Sequence, residues 1–156
     1  MKILVLFFVL VSCASSEDNV SPSLKVSKAN SDASISPIFN TWKLVSFEDN
    51  KAVKFDITLE IKPDRNEKGL FTITGKSTVN FYYAFFEADF VKHALKIDGV
   101  SGTKIGTSLA SEATFEKEYW ERLATVEKFE VSSDRTKMTL FLPDITKKKM
   151  NFQISK

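Results

Sequence analysis

Val53, Phe55, Ile57, Leu59 and Ile61 alternate with Lys54, Asp56, Thr58, Glu60 and Lys62. This period of two constrains the fold more than any other feature, because successive side chains of a strand point to opposite faces. One face must meet a core and the other water. The alternation returns in "LFTITG", in "HALKIDGV" through His93, Leu95 and Ile97, and in "KFEVSS", "TKMTLFL" and "KKMNFQI". Turn residues separate the runs: "PDRNEKG" follows the first, and "PDITKK" reads as a hairpin connection between the last two. "TVNFYYAFFEAD" is β-rich, with Phe81, Tyr83 and Phe85 pointing one way and Tyr82 and Phe86 the other.

The period changes once. In "SEATFEKEYWERLATV", Phe115, Tyr119, Leu123 and Val126 recur at three- and four-residue spacing and Trp120 broadens the stripe. Glu116, Lys117, Glu121 and Arg122 fall on the other side, which predicts an amphipathic helix with those four in solvent. Ser111 suits its N-cap, Glu112 the positive end of its dipole, and Glu118 and Arg122 are spaced to pair. The expected class is α+β, mainly β. It is a small antiparallel barrel-like sheet of seven or eight strands over residues 38–156, its inserted helix packed over the sheet or across an open barrel end.

Little catalytic chemistry fits the composition. One Cys excludes an internal disulfide, and one His, His93, leaves no second imidazole for a metal, so neither metal nor cofactor is expected. The glycines of "DGVSGTKIG" are spaced for turns rather than for cradling phosphate, and no serine sits in a G-x-S-x-G elbow. Asp89, His93 and Ser77 are a chance grouping in a serine-rich chain, and Glu116 and Glu118 read as solvated charges. Lys147, Lys148 and Lys149 read as a solvated hairpin edge that resists sheet pairing. The expectation is no enzyme. A net charge of +2 is too small for a nucleic-acid partner, and the oligomeric state stays open.

The aromatic run carries the candidate contacts. Either one set of rings fills the core while the other lies under the helix or the leader-side loop, or some rings line a ligand cavity or an exposed contact patch. Trp42, Asn80, Phe81, Tyr83 and Phe85 are the candidate ligand or contact residues. Trp42 is read as core or as an exposed contact, and Asn80 as holding a turn or touching a ligand.

The N-terminus supplies an address. Lys2 precedes "ILVLFFVLV", a run far short of the roughly 20 residues that span a bilayer. A positive start, an apolar stretch and small residues predict a signal peptide over residues 1–12. Leu10-Val11-Ser12-Cys13 resembles the lipobox of bacterial lipoproteins, which implies cleavage before Cys13, its lipidation and attachment to a membrane. Ala14 after it resembles lipoproteins sent to the outer membrane, so the expected location is the bacterial cell envelope. Residues 13–37 then comprise the lipidated Cys and a tether with eight Ser, two Pro and no aromatic residue, expected to be a flexible linker.

Several motifs together resemble a known module. Trp42-x-Leu44 opens the domain, "TGKSTVNFYYAFFE" follows, then "LKIDGVSGTKIG", and "EKEYWERLATVEKFEVSSDRTKMTLFLPDITKKKMNFQIS" closes it. Their order over residues 40–155 resembles META domains, the HslJ-like module of many bacterial lipoproteins. The resemblance implies a small barrel-like α+β domain without an established catalytic centre, linked to envelope stress and to virulence or motility factors. Where such domains commonly carry two cysteines, this chain has Val79 and, approximately, Gly106, so no redox role is implied. "NTWKLVS" also resembles lipocalin-like lipoproteins, in which a Trp closes one barrel end. The expected function is therefore a non-enzymatic, lipid-anchored envelope protein acting in envelope integrity or stress response through a protein partner. The alternative is lipocalin-like binding or sensing of a small apolar ligand.

Overall fold

The alternating runs pair edge to edge into one ring. The structure, a computed structural model, describes residues 36–48, 52–143 and 148–155. The signal peptide, Cys13, most of the tether and Lys147 lie outside the described residues. The strands are β1 (Thr41–Phe47), β2 (Thr58–Arg65), β3 (Phe71–Lys76), β4 (Phe81–Asp89), β5 (Ala94–Gly102), β6 (Lys128–Val131), β7 (Lys137–Phe141) and β8 (Lys149–Ile154). Each pairs antiparallel with the next, and β8 pairs with β1 to close the barrel. The class is α+β, mainly β, as the periodicity predicts.

Three boundaries differ from the expectation, each for a local reason. β2 starts at Thr58, because Val53 N–H bonds to Val45 O and Leu44 N–H to Ile57 O, which loops out residues 53–57 and sends Phe55 toward the helix. β2 also runs through Pro63 to Arg65, where its register to β3 shifts between Lys62 and Arg65, the kind of irregularity that admits a strand proline. His93 does not continue the alternation of Leu95 and Ile97: it is an exposed turn residue at φ +52°, outside β5. Within β5, Gly99 adopts φ +70° as the extra residue of a bulge, since Ala84 faces Val100 while Phe85 faces Asp98.

The ring is weakest between β5 and β6, which share one ladder pair, Ala94 with Lys128. The helix α1 (Ala110–Ala124) enters between these two strands and lies against β5. Its Phe115 stacks on Phe47 and tilts against Phe55, and its Tyr119 meets Tyr82 edge-on. Phe47 ends β1 and Tyr82 lies near the start of β4, so α1 crosses that end of the barrel. Ser111 does not cap it. The N-cap position is Leu109, and the Thr107 hydroxyl instead donates to the Glu112 carboxylate (2.6 Å) and accepts the Leu109 N–H (3.1 Å).

Side chains fill the interior, as eight strands allow. Trp42, Leu44, Leu59, Phe71, Phe86 and Phe152 are fully buried from the strands, and Tyr119 and Leu123 from the helix. Phe90 meets Phe39, Phe71 and Phe129 edge-on at the opposite end from α1, where Phe39 also tilts against Phe71 and the Arg65 guanidinium lies 3.9 Å over the Phe71 ring.

Candidate functional site: an apolar face mounted on a buried carboxylate

The β3–β4 connection is four residues long and must turn beside the helix. Ser77 N–H donates to Asn80 O (2.8 Å), closing the turn. The Asn80 side chain then uses all its capacity. Its Oδ1 accepts from Ile105 N–H (2.7 Å) and the Thr103 hydroxyl (2.8 Å), while Nδ2 donates to Ile105 O (3.2 Å) and Glu116 Oε1 (2.6 Å). Asn80 thus holds the 103–105 segment against β4. The holding-a-turn reading describes what it does here.

Glu116 corrects the sequence expectation. Its position in the helical pattern assigns it to water, yet it is 8% exposed. Its carboxylate accepts from the Ser77 hydroxyl and from Asn80 through both its backbone N–H (3.2 Å) and its side chain. Burial pushes this carboxyl up, but the donors from Ser77 and Asn80 outweigh it and leave it below its ordinary value. The polar turn of β3–β4 offers donors that only a buried acceptor can satisfy, so a helix face that looks solvated is not. Arg122 departs from the expectation in the same way. Its side chain is 11% exposed, pairs with Glu48 (2.5 Å) and Glu118 (2.7 Å), and lies 4.3 Å over the Phe47 ring. The Glu118–Arg122 pair is thus present, as spacing predicts, with Glu48 as a third member the spacing does not reveal.

Beneath this mount the helix docks through two phenols. Tyr82 donates to Thr58 O (2.8 Å), so the 2.6 Å contact between phenol oxygens has Tyr119 as donor. Desolvation raises both phenols, which keeps them neutral.

Above it, apolar side chains reach solvent. Phe81 is 60% exposed and Tyr83 50% on the outer face of β4, and Ile105 (55%) and Leu109 (56%) project from the segment before α1. Phe85 is half-buried and meets Tyr83 edge-on at 6.0 Å. A groove of about 510 Å³ is lined by Ile105 together with Val79, Gly106 and Trp120 among others. The Trp120 indole N–H is buried there with no acceptor among the described residues. Flanking β4, Thr72, Thr74 and Lys76 of β3 stand in register with Phe85, Tyr83 and Phe81.

The candidate residues therefore separate. Phe81, Tyr83 and Phe85 share one outer face, Asn80 is the mount below it, and Trp42 is apart, fully buried with its indole N–H donating to Ile38 O (2.9 Å). The outer rings do not lie under the helix. Ser77 and His93 lie at opposite ends of β4, and Asp89 is engaged by the backbone of Val91 and Lys92, so these three do not meet. Ile105, Leu109 and Trp120 were missed as contact residues. Isolated aliphatics beside a turn carry no periodic signal, and Trp120 reads as part of the core stripe. Among the described residues, no group of three His, Cys, Asp or Glu could hold a metal, and no helix is long and apolar enough to cross a membrane.

No protein-family model and no curated protein matches the sequence. The fold does have solved counterparts. A protein from Burkholderia xenovorans determined by NMR is 17% identical, with a TM-score of 0.60 over 96% of this chain and 99% of that one. A second protein determined by NMR is 16% identical, with a TM-score of 0.51 over 77% and 95%. The crystal structure of a DUF4847 family protein from Bacteroides vulgatus is 15% identical, with a TM-score of 0.48 over 76% and 94%. At these identities the first two likenesses show one thing: the chain shares its fold with these two solved proteins.

Proposed function

We propose that this chain is a non-enzymatic, lipid-anchored protein of the bacterial envelope, and that its META-like barrel binds a protein partner through the face formed by Phe81, Tyr83, Ile105 and Leu109. The observation that carries the reading is the combination of exposure and rigidity. Four large apolar side chains stand in water, and the strand and segment that bear them are pinned by Asn80 and the buried Glu116. Apolar groups grouped on a rigid support favour association, since little conformational entropy is lost on binding. The lumen, filled by Trp42, Phe71, Phe86 and Phe152, directs the search for contacts to the outside.

The test is photo-crosslinking in cells from a benzoylphenylalanine placed at position 83. A discrete adduct with an envelope protein is expected, and it should vanish in Phe81→Ser/Ile105→Ser. No adduct at position 83, together with unchanged sensitivity of a deletion strain to heat and detergent, would overturn the proposal.

A further inference from the structure

Lys148 and Lys149 near the C-terminus do not stand alone in space. Phe141 of β7 is flanked in register by Lys128 of β6 on one side and Lys149 of β8 on the other, all on the outer face of the barrel. This row forms part of a groove of about 570 Å³, which Lys148 and the Lys92-His93 turn also line. Four lysines from three distant segments thus converge on one concavity, and among the described residues lining it Glu130 is the one acidic side chain. Lys92 also pairs with Asp89 (3.3 Å) outside the groove.

The floor is different in kind. Phe141 is half-buried on the outer face and forms the floor. Phe129 and Leu142 face the barrel interior, nearly fully buried, and reach the groove only at its edge, where the His93 ring stacks on Phe129 at 5.5 Å. His93 is held there at φ +52°, a conformation uncommon for a residue with a Cβ. Its carbonyl accepts the Phe129 N–H (2.9 Å), one of the few bonds across the sparse β5–β6 junction. The volume suits a small organic molecule. An apolar floor under a cationic rim selects two features in one ligand: an apolar body and an anionic group.

We propose that this groove binds a single-chain amphipathic anion, its chain over Phe141 and its carboxylate or phosphate on the lysines. The groove lies on the β6–β8 wall, away from the β4 face, and binding there does not depend on a partner at that face.

The test uses the full chain and four probes followed by amide NMR: decanoate, decyl phosphate, decanol and inorganic phosphate. Saturable shifts at Lys128, Phe141 and Lys149 are expected with decanoate or decyl phosphate, tighter than with decanol or inorganic phosphate. Because charge-assisted hydrogen bonds to the anion are removed, Lys128→Gln/Lys149→Gln should weaken binding about tenfold or more. An otherwise unchanged amide spectrum checks that this variant folds. Equal binding of decanol would remove the role of the lysines, and equal binding of inorganic phosphate would remove that of the floor. Shifts confined to other residues, or no saturation with either amphiphile, would overturn the site. Co-sedimentation with phosphatidylglycerol vesicles that needs the two lysines, without binding of either free amphiphile, would overturn the free ligand and place the anion in a bilayer.

Discussion

Trp42 shows how a single residue fixes one part of the barrel. On β1 it stands opposite Leu59 and Ile154, fully buried, and its one polar atom is satisfied by Ile38 O, four residues back. Removing the indole leaves a large cavity and orphans a carbonyl, in a core whose neighbours are held by ladders on both sides. Trp42→Ala is expected to lower stability by about 3–5 kcal/mol, measured by urea unfolding. A loss well below 1 kcal/mol would mean that the ring is not part of the core. Phe81 and Tyr83 are the contrast. They are aromatic residues of similar size on a strand that buries Tyr82 and Phe86, so their exposure follows from the parity of β4 and not from their chemistry.

At the level of elements, the barrel depends on how α1 is fastened. Glu116 joins the helix to the β3–β4 turn, and Arg122 joins it to the end of β1 through Glu48. Because donors from Ser77 and Asn80 hold the Glu116 carboxyl below its ordinary 4.5, its contribution to stability is complete above that value. It is lost as pH falls through the lower folded value, where the acid must protonate. Glu116→Gln should therefore flatten acid unfolding: its stability difference from the parent shrinks as pH drops below 4.5, as read from unfolding at a series of pH values. A difference that stays constant through that range would show that the carboxylate charge does not matter to the mount. The approximate strand number and the helix were legible in the sequence, because both periods are set by local geometry and a core face. Glu116, Arg122 and the start of β2 were not. Each depends on a partner 36 or more residues away, or on a loop that closes on β1, and periodicity records which side of an element a residue lies on without recording what stands there. Of the candidate site, the β4 rings were legible from alternation. Ile105 and Leu109 were not, because their exposure depends on Asn80 holding an irregular segment in place.

For the whole molecule, the question is whether folding and address are separable. Among the described residues the buried core runs from Ile38 through the ring and its helix, and β8 pairs with β1 to close it. The lipobox resemblance implies that Cys13 is the anchor. Acyl chains on one residue hold a protein to a bilayer through burial of their own methylenes and need no help from a globular surface. The two outward features then keep distinct walls, the β4 face with its apolar side chains and the β6–β8 groove with its lysines. Cys13→Ala is accordingly expected to move the protein out of the membrane fraction while leaving the thermal unfolding midpoint of the purified chain unchanged. Membrane fractionation that persists in this variant would refute lipid attachment at Cys13, and a lowered midpoint would mean that the N-terminal segment contributes to the fold.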